Sequence, residues 1–323
     1  MLKISRREFV IGSAALATAP RWRLRESFTF GMIADVHQDV MHDGVERLTA
    51  FIEAMKEQEV DFIMQLGDFC VPKPENQPFM DAWNGFPGPK YHVLGNHDTD
   101  GGFSQEQTQE FWSMPDQTYS FDHKGMHFVV LDGNDLHEGR PPGYPRHVGQ
   151  EQRSWLVKDL KGTELPTVVF CHQSLQEGEG GLDNTLEMQA LLENANEEAG
   201  WTKVFASLCG HHHIDQLVLI NGIQYVQINS ASYHWLGGDY RRARYSPAIE
   251  ESHPYISYTS PYEGPLWATC EVHADGRFDI VGMKTDWVKP SMWDIGYPPD
   301  ANDYVTPETC VPEIRNRELR FKD

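Results

Sequence analysis

Phe28-Thr29-Phe30-Gly31-Met32-Ile33-Ala34-Asp35-Val36-His37 is a short, mostly apolar run that stops on two metal-binding side chains. Runs of this length and composition form buried strands, so a strand is predicted over 28–34, ending on Asp35 and His37. The same grammar recurs four times. Residues 61–66 lead into Gly67-Asp68, 91–94 into Gly95-Asn96-His97-Asp98, 167–171 into His172, and 204–208 into Gly210-His211-His212-His213. Helical patterns fill the intervals. Asp43 can cap a helix carrying Val45, Leu48, Ile52 and Met55 at helical spacing, and further helices are predicted near 104–112, over 151–160 and over about 184–199. Leu186, Leu191 and Leu192 are among the apolar positions of the last. A hairpin over 119–131 turns at Lys124-Gly125. Beyond residue 213 the pattern is purely β, with hairpins around Asn221-Gly222 and Ala274-Asp275-Gly276. Strands joined by helices, then hairpins, predict an α/β fold with two sheets face to face and helices outside. Ligand sites in such sheets gather at the carboxyl ends of strands.

Taken in order, the five fragments supply seven oxygen and nitrogen ligands: Asp35, His37, Asp68, Asn96, His172, His211 and His213. That donor set suits two adjacent divalent cations. Asp35 and His37 lie two residues apart at a strand end and are expected to face one way. His211 and His213 are expected to do the same, with His212 turned to solvent or behind the ligands. The two oxygens of Asp68 suit a bridge, and the Asn96 amide and His172 imidazole suit Mn, Fe or Zn. Asp-x-His or Gly-Asp alone arises often by chance. Five motifs in order, each behind a β-like run, point to a paired-metal site rather than to polar residues satisfied without metal.

In these motifs the chain resembles the calcineurin-like metallophosphoesterase superfamily, whose motifs run Asp-x-His, Gly-Asp, Gly-Asn-His-Asp or Glu, His and Gly-His-x-His. The resemblance spans about residues 28–228. It implies the metallo-dependent phosphatase fold, a four-layer α/β/β/α sandwich with a two-metal site at the strand ends. It also implies that Asp35, His37 and His213 hold one metal, that Asn96, His172 and His211 hold the other, and that Asp68 bridges them. The implied chemistry is hydrolysis of a phosphomonoester or phosphodiester by a metal-bridging hydroxide, with the phosphate oxygens on the same cations. His97 would be free to protonate the leaving oxygen, with Asp98 as its orienting partner, or would only orient Asn96. Phe69, Cys70 and Val71 follow Gly67-Asp68, so the Gly-Asp-x-x-Tyr motif of purple acid phosphatases is missing. His37 and Asp98 look more like the branch containing class III cyclic nucleotide phosphodiesterases. Cyclic nucleotide hydrolysis is therefore an alternative, and a non-catalytic metal-binding scaffold is a second.

Composition bounds the partners. The chain has 323 residues, 40% of them apolar, and a formal charge of −21. That length can bury a sizeable core. The expected layout is a signal segment at 1–19, a phosphoesterase domain at 24–290 and a tail at 291–323 packed on the domain. Nucleic acid is an unsuitable partner, because binding it requires Lys and Arg to neutralise phosphates. A small phosphorylated substrate fits, because bound cations reverse the local field. Ser5-Arg6-Arg7-Glu8-Phe9, followed by an apolar stretch to Ala19, resembles a twin-arginine signal. It predicts passage through the twin-arginine export machinery to the periplasm or the exterior. The stretch is far short of the roughly 20 residues that span a bilayer, so no membrane span is expected in the mature chain.

Five cysteines are too few and too scattered for a disulfide framework. Cys70, Cys171 and Cys209 read as small buried hydrophobes beside the metal motifs, while Cys270 and Cys310 either pair or stay free. Arg140-Pro141-Pro142-Gly143-Tyr144-Pro145-Arg146-His147 reads as an anion-binding loop or as solvated surface. Tyr233, His234 and Trp235 either line a substrate pocket or pack the long aromatic segment 233–262, whose composition favours an ordered flap. His92, His127 and His273 are expected to be ordinary strand residues.

Overall fold

The computed structural model describes Leu24 and residues 26–321. The twin-arginine-like stretch at 1–19 lies outside the described residues. In chain order the first half holds β1 (Phe28–Ile33), α1 (Gly44–Glu57), β2 (Phe62–Gln65), α2 (Gln77–Asn84), β3 (Lys90–His92), α3 (Gln105–Trp112), β4 (Tyr119–His123), β5 (Met126–Val130), α4 (Gln150–Gly162) and β6 (Thr167–Phe170). The second half holds α5 (Thr185–Ala199), β7 (Val204–Cys209), β8 (Gln216–Ile220), β9 (Ile223–Gln227), β10 (Tyr233–Trp235), α6 (Pro247–Ser252), β11 (Thr259–Pro261), β12 (Ala268–Val272), β13 (Arg277–Val281) and β14 (Arg317–Arg320).

Two six-stranded mixed sheets form, in the orders β14-β13-β12-β1-β2-β3 and β4-β5-β6-β7-β9-β8. β1 pairs parallel with β2, and β5, β6, β7 and β9 run parallel, so the metal-motif loops emerge from strands pointing the same way within each sheet. Period-two alternation builds the layers. Phe30, Met32, Phe62 and Met64 meet Phe128, Val130, Val168 and Phe170 in the central core. Phe30 stacks on Phe62 with centroids 4.6 Å apart, and Phe128 meets Phe62 edge-on at 5.5 Å. Each such ring stabilises the fold by roughly 1.5–3 kcal/mol through burial. On the outer face of the first sheet, Ile33 and Ile63 pack against Leu48, Phe51, Ile52 and Met55 of α1 and Phe79 and Trp83 of α2. On the far side, Val129 and Val169 pack against Leu156 and Leu160 of α4 and Met188 and Leu192 of α5. The result is the α/β/β/α arrangement.

Several details differ from the sequence-based expectations. α2 is absent from them: it is short, starts beside Pro78, and buries only Phe79, Met80 and Trp83, too few positions to show helical periodicity. Leu186 lies on the solvent side of α5, whereas Met188, Gln189 and Leu192 turn inward. The Asp43 side chain does not cap α1. It accepts a hydrogen bond from Arg47 Nε at 2.8 Å, and buried Arg47 donates to the Tyr262 and Ala231 carbonyls. Segment 233–262 forms the expected flap, and the unexpected part is that β10 and β11 pair as a two-stranded ribbon. Beyond residue 290, β14 extends the first sheet beside β13, while Met292, Tyr304, Val305, Cys310 and Ile314 join the central core. All five cysteines are buried free thiols, so Cys270 and Cys310 are not paired. Among the described residues no helix is long and apolar enough to cross a membrane.

Candidate metal centre

The motif residues sit in loops just past the strand ends. Asp35 and His37 have φ of 51°, Asp68 of 50°, His211 of 72° and His213 of 53°. A left-handed conformation costs an L-residue about 1–2 kcal/mol, so a cluster of five is held by its surroundings rather than by local preference. Backbone hydrogen bonds zip the first two loops together: Asp35 N–H to Gly67 O at 3.1 Å, His37 N–H to Asp68 O at 2.9 Å and Gln38 N–H to Phe69 O at 3.1 Å. Gly67, with φ of 96°, has no room for a Cβ because the His172 ring occupies that space. Gly95 is likewise pressed against the backbone and carboxylate of Asp68.

Two groups of ligating side chains result, Asp35 with His37 and His213, and Asp68 with His172 and His211. In the first, His213 Nε2 lies 3.1 Å from His37 Nε2 and 3.3 Å from Asp35 Oδ1. In the second, His172 Nε2 lies 3.2 Å from Asp68 Oδ2 and 3.3 Å from His211 Nδ1. Asp68 Oδ2 is also 3.5 Å from His37 Nε2, so one carboxylate oxygen reaches both groups, while Oδ1 accepts the His97 N–H at 2.8 Å. The two groups are therefore contiguous.

These donors fit cations. His172 Nδ1 donates to the Leu66 carbonyl at 2.7 Å and His213 Nδ1 to the Tyr233 carbonyl at 2.8 Å, which leaves their Nε2 lone pairs facing other acceptors. Lone pairs converge this closely only around positive charge. Burial opposes protonation of His172, yet the facing Asp68 overrides it and raises the group to about 10. Burial instead holds His37 and His211 well below the usual histidine range, in the neutral form that ligates metal. The Asn96 side-chain oxygen is buried with no hydrogen-bond partner, an orphan acceptor that a cation would satisfy.

His97 stands at the edge of this cluster, in a cavity of about 720 Å³ shared with His37, Asp68, His211 and His213. Asp98 is not its orienting partner. The Asp98 carboxylate is buried and accepts three backbone N–H groups, from Asp68 at 2.9 Å, Phe69 at 2.7 Å and Gly95 at 2.7 Å, so it clasps two ligand loops together. A side chain committed to three amides has turned away from the neighbouring imidazole. His97 Nδ1 pairs instead with Asp100 Oδ2 at 2.7 Å and lies 3.1 Å from the Tyr144 hydroxyl, which donates to Asp100 Oδ1 at 2.9 Å. Burial works against protonation of His97, but Asp68 and Asp100 raise it to about 9.

Other expectations resolve as follows. His212 bonds the Glu179 carbonyl through Nε2 at 3.0 Å, packs tilted against Tyr304 and belongs to neither ligating group. In the 140–147 loop, Arg140 donates to the Gly143 and Pro141 carbonyls and Arg146 pairs with Asp183, so neither guanidinium lines the cavity, whereas Tyr144 does. Tyr233 and Trp235 line the cavity, while buried His234 braces the His213 carbonyl at 3.0 Å. Cys70, Cys171 and Cys209 belong to neither ligating group. Buried His92 accepts from Trp83 Nε1 at 3.1 Å, and burial lowers it to about 3. A third acidic and histidine cluster, Glu271, His273 and Asp279, already holds the Arg277 guanidinium on Asp279 at 3.2 Å. Sequence reasoning missed Asp100 and Tyr255 as cavity residues. Asp100 had a readable signal, because a carboxylate three residues after a histidine in a turn can reach its Nδ1.

The family model described as calcineurin-like phosphoesterase matches residues 28–215. Among curated protein sequences, none matches the chain. Of solved structures, a dimetal phosphatase from Danio rerio superposes with a TM-score of 0.59 at 15% identity, covering 82% of this chain and 99% of that one. GAP50 of Plasmodium, described as the anchor in the inner membrane complex, superposes with a TM-score of 0.51 at 16% identity, covering 92% and 90%. At such identities the likeness concerns the fold alone.

Proposed function

The chain belongs to the calcineurin-like phosphoesterase family, and from that premise we propose that it is a metal-dependent hydrolase of phosphomonoesters or phosphodiesters. One cation would be held by Asp35, His37 and His213, the other by Asn96, His172 and His211, with Asp68 shared. The buried Asn96 oxygen with no hydrogen-bond partner, beside two contiguous groups of Asp and His ligands, is the observation that carries the reading. Two bound divalent cations, Mn, Fe or Zn, would supply the Lewis acidity that activates water and offsets charge on the phosphate oxygens. His97 contributes a proton at the cavity wall. With Nδ1 engaged by Asp100, its Nε2 is the atom able to donate to the leaving oxygen. Asp98 keeps the Gly67-Asp68 and Gly95-Asn96 loops in register, and Gly67 and Gly95 allow the close approach that this needs.

Purified protein loaded with Mn and assayed on p-nitrophenyl phosphate and bis-p-nitrophenyl phosphate tests this. Turnover of either is expected, and two Mn bound per chain with no turnover of either would overturn it. The likeness in fold to an anchoring protein favours a second reading, a non-catalytic scaffold. Asn96→Ala and His97→Ala separate the two, since an enzyme loses turnover and a scaffold has none to lose. Export belongs to the proposal on Ser5-Arg6-Arg7-Glu8-Phe9 alone, and replacing Arg6-Arg7 by Lys-Lys should hold the protein in the cytoplasm.

A further inference from the structure

The cavity in front of the candidate metal centre is walled on its outer side by aromatic rings. Tyr144, Trp235 and Tyr255 are 45%, 44% and 58% exposed, unusual values for rings of this size, and all three line the same cavity. Trp235 and Tyr144 do not hang loose. Trp235 stacks on Tyr258 with centroids 5.7 Å apart and planes 11° apart, and Tyr258 is covered in turn by the Arg241 guanidinium at 4.9 Å. Tyr144 is fixed by its hydroxyl contacts to Asp100 and His97. One face of Trp235 is thus occupied, and the ring is held rigid for a partner on the cavity side.

Among the described residues, no Lys or Arg lines the cavity. The nearest guanidinium groups of the 140–147 loop are engaged with their own loop and with Asp183, and Asp100 adds a negative charge to the wall. A substrate's phosphate would be met by the metal centre and His97, but a second anionic group on the outer wall would find only the Asp100 carboxylate and rings.

We propose that this cavity selects phosphoesters whose leaving group is a planar aromatic or heteroaromatic ring without further negative charge. The inference rests on the phosphoesterase reading and narrows its substrate class. Stacking of a flat ring on a fixed aromatic wall is favourable and tolerant of the ring's identity, and it costs little entropy when the wall is already ordered. Polyphosphorylated and carboxylated esters are disfavoured by the same wall.

Phenyl, 2-naphthyl and 3-carboxyphenyl phosphate test this, because their leaving groups have similar acidity and differ in ring area and charge. With Mn-loaded protein, kcat/KM for 2-naphthyl phosphate should exceed that for phenyl phosphate by about fivefold or more, on the scale of one stacking contact. The carboxylated ester should fall about tenfold below phenyl phosphate. Trp235→Ala and Tyr255→Ala should each shrink the naphthyl-to-phenyl ratio, with Trp235→Phe retaining part of it. Binding of 2-naphthylphosphonate and phenylphosphonate, followed by calorimetry, supplies a readout independent of turnover. Naphthyl preference in binding without hydrolysis would uphold the pocket and overturn the hydrolase. Hydrolysis with a ratio near one, a ratio unmoved by both alanine variants, or equal use of the carboxylated ester would overturn the pocket and leave the hydrolase standing.

Discussion

Asp100→Asn separates positioning of His97 from metal binding. Asp100 touches no ligand of either group, and its Oδ2 meets His97 Nδ1 at 2.7 Å while Oδ1 holds the Tyr144 hydroxyl. Asparagine keeps the shape and removes the charge. A charge-assisted hydrogen bond contributes roughly 1.5–3 kcal/mol. His97 and Asp100 are 40% and 44% exposed, so solvent screening brings this to about 1–2 kcal/mol. If the contact positions the imidazole in the transition state, kcat should fall roughly five- to thirtyfold, with KM within about threefold. Steady-state kinetics on p-nitrophenyl phosphate, metal content per chain and thermal melting give the three readouts. Metal content and Tm should stay at wild-type values. Asp98→Asn should do the opposite: one of the three N–H donors around that carboxyl would lose its oxygen acceptor and face an amide NH2. A loss of about 2–4 kcal/mol, a fall in Tm of several degrees and reduced metal content follow. An unchanged kcat in Asp100→Asn, or kcat loss with intact metal and Tm in Asp98→Asn, would refute the division of roles.

Three further outcomes are expected. Asn96→Ala should lower metal content from two ions per chain toward one, read by elemental analysis, since it removes an oxygen with no other partner. Gly67→Ala should abolish metal loading and destabilise the fold by more than the roughly 1–2 kcal/mol of a left-handed alanine, because the new methyl meets the His172 ring; wild-type metal content in this variant would argue against that crowding. His127 is clamped between Asp122 at 2.6 Å and Asp159 at 2.8 Å, and although burial opposes its charge, these carboxylates raise its proton affinity. A raised folded-state value gives stability that is present in full below the unfolded value near 6.5 and is lost as pH rises through the folded value. The Tm deficit of His127→Gln should therefore be greatest near pH 6 and shrink at alkaline pH; a deficit growing with pH would reverse the sign.

The layers were legible because the strands carry period-two patterning and the longer helices span enough turns to show a stripe. α2 was not, having three buried positions after a proline. Leu186 misled because an apolar residue one position from the helix's buried stripe reads like a member of it. The ribbon of β10 and β11 joins strands separated by a long segment, a pairing that no local pattern encodes. Tyr144 and Tyr255 reach the cavity from distant loops, and only the assembled fold brings them opposite His97.

The ligands themselves show how far strand logic extends. Alternation along a strand would place Asp35 with His37 and His211 with His213. The first pairing occurs, but His211 and His213 belong to different groups. β1 ends at Ile33 and β7 at Cys209, so all four residues lie beyond the region where alternation applies. Their directions are set by left-handed φ values and by hydrogen bonds between neighbouring loops, including the Asp35 carboxylate accepting the His211 N–H at 3.0 Å. Asp and His are among the residue types that tolerate this conformation best apart from glycine. They are also the residues that ligate divalent metals. The motif spacing was therefore readable while the geometry was not, because one set of side chains satisfies two constraints, a backbone turn and a donor atom, and the sequence displays only their common solution.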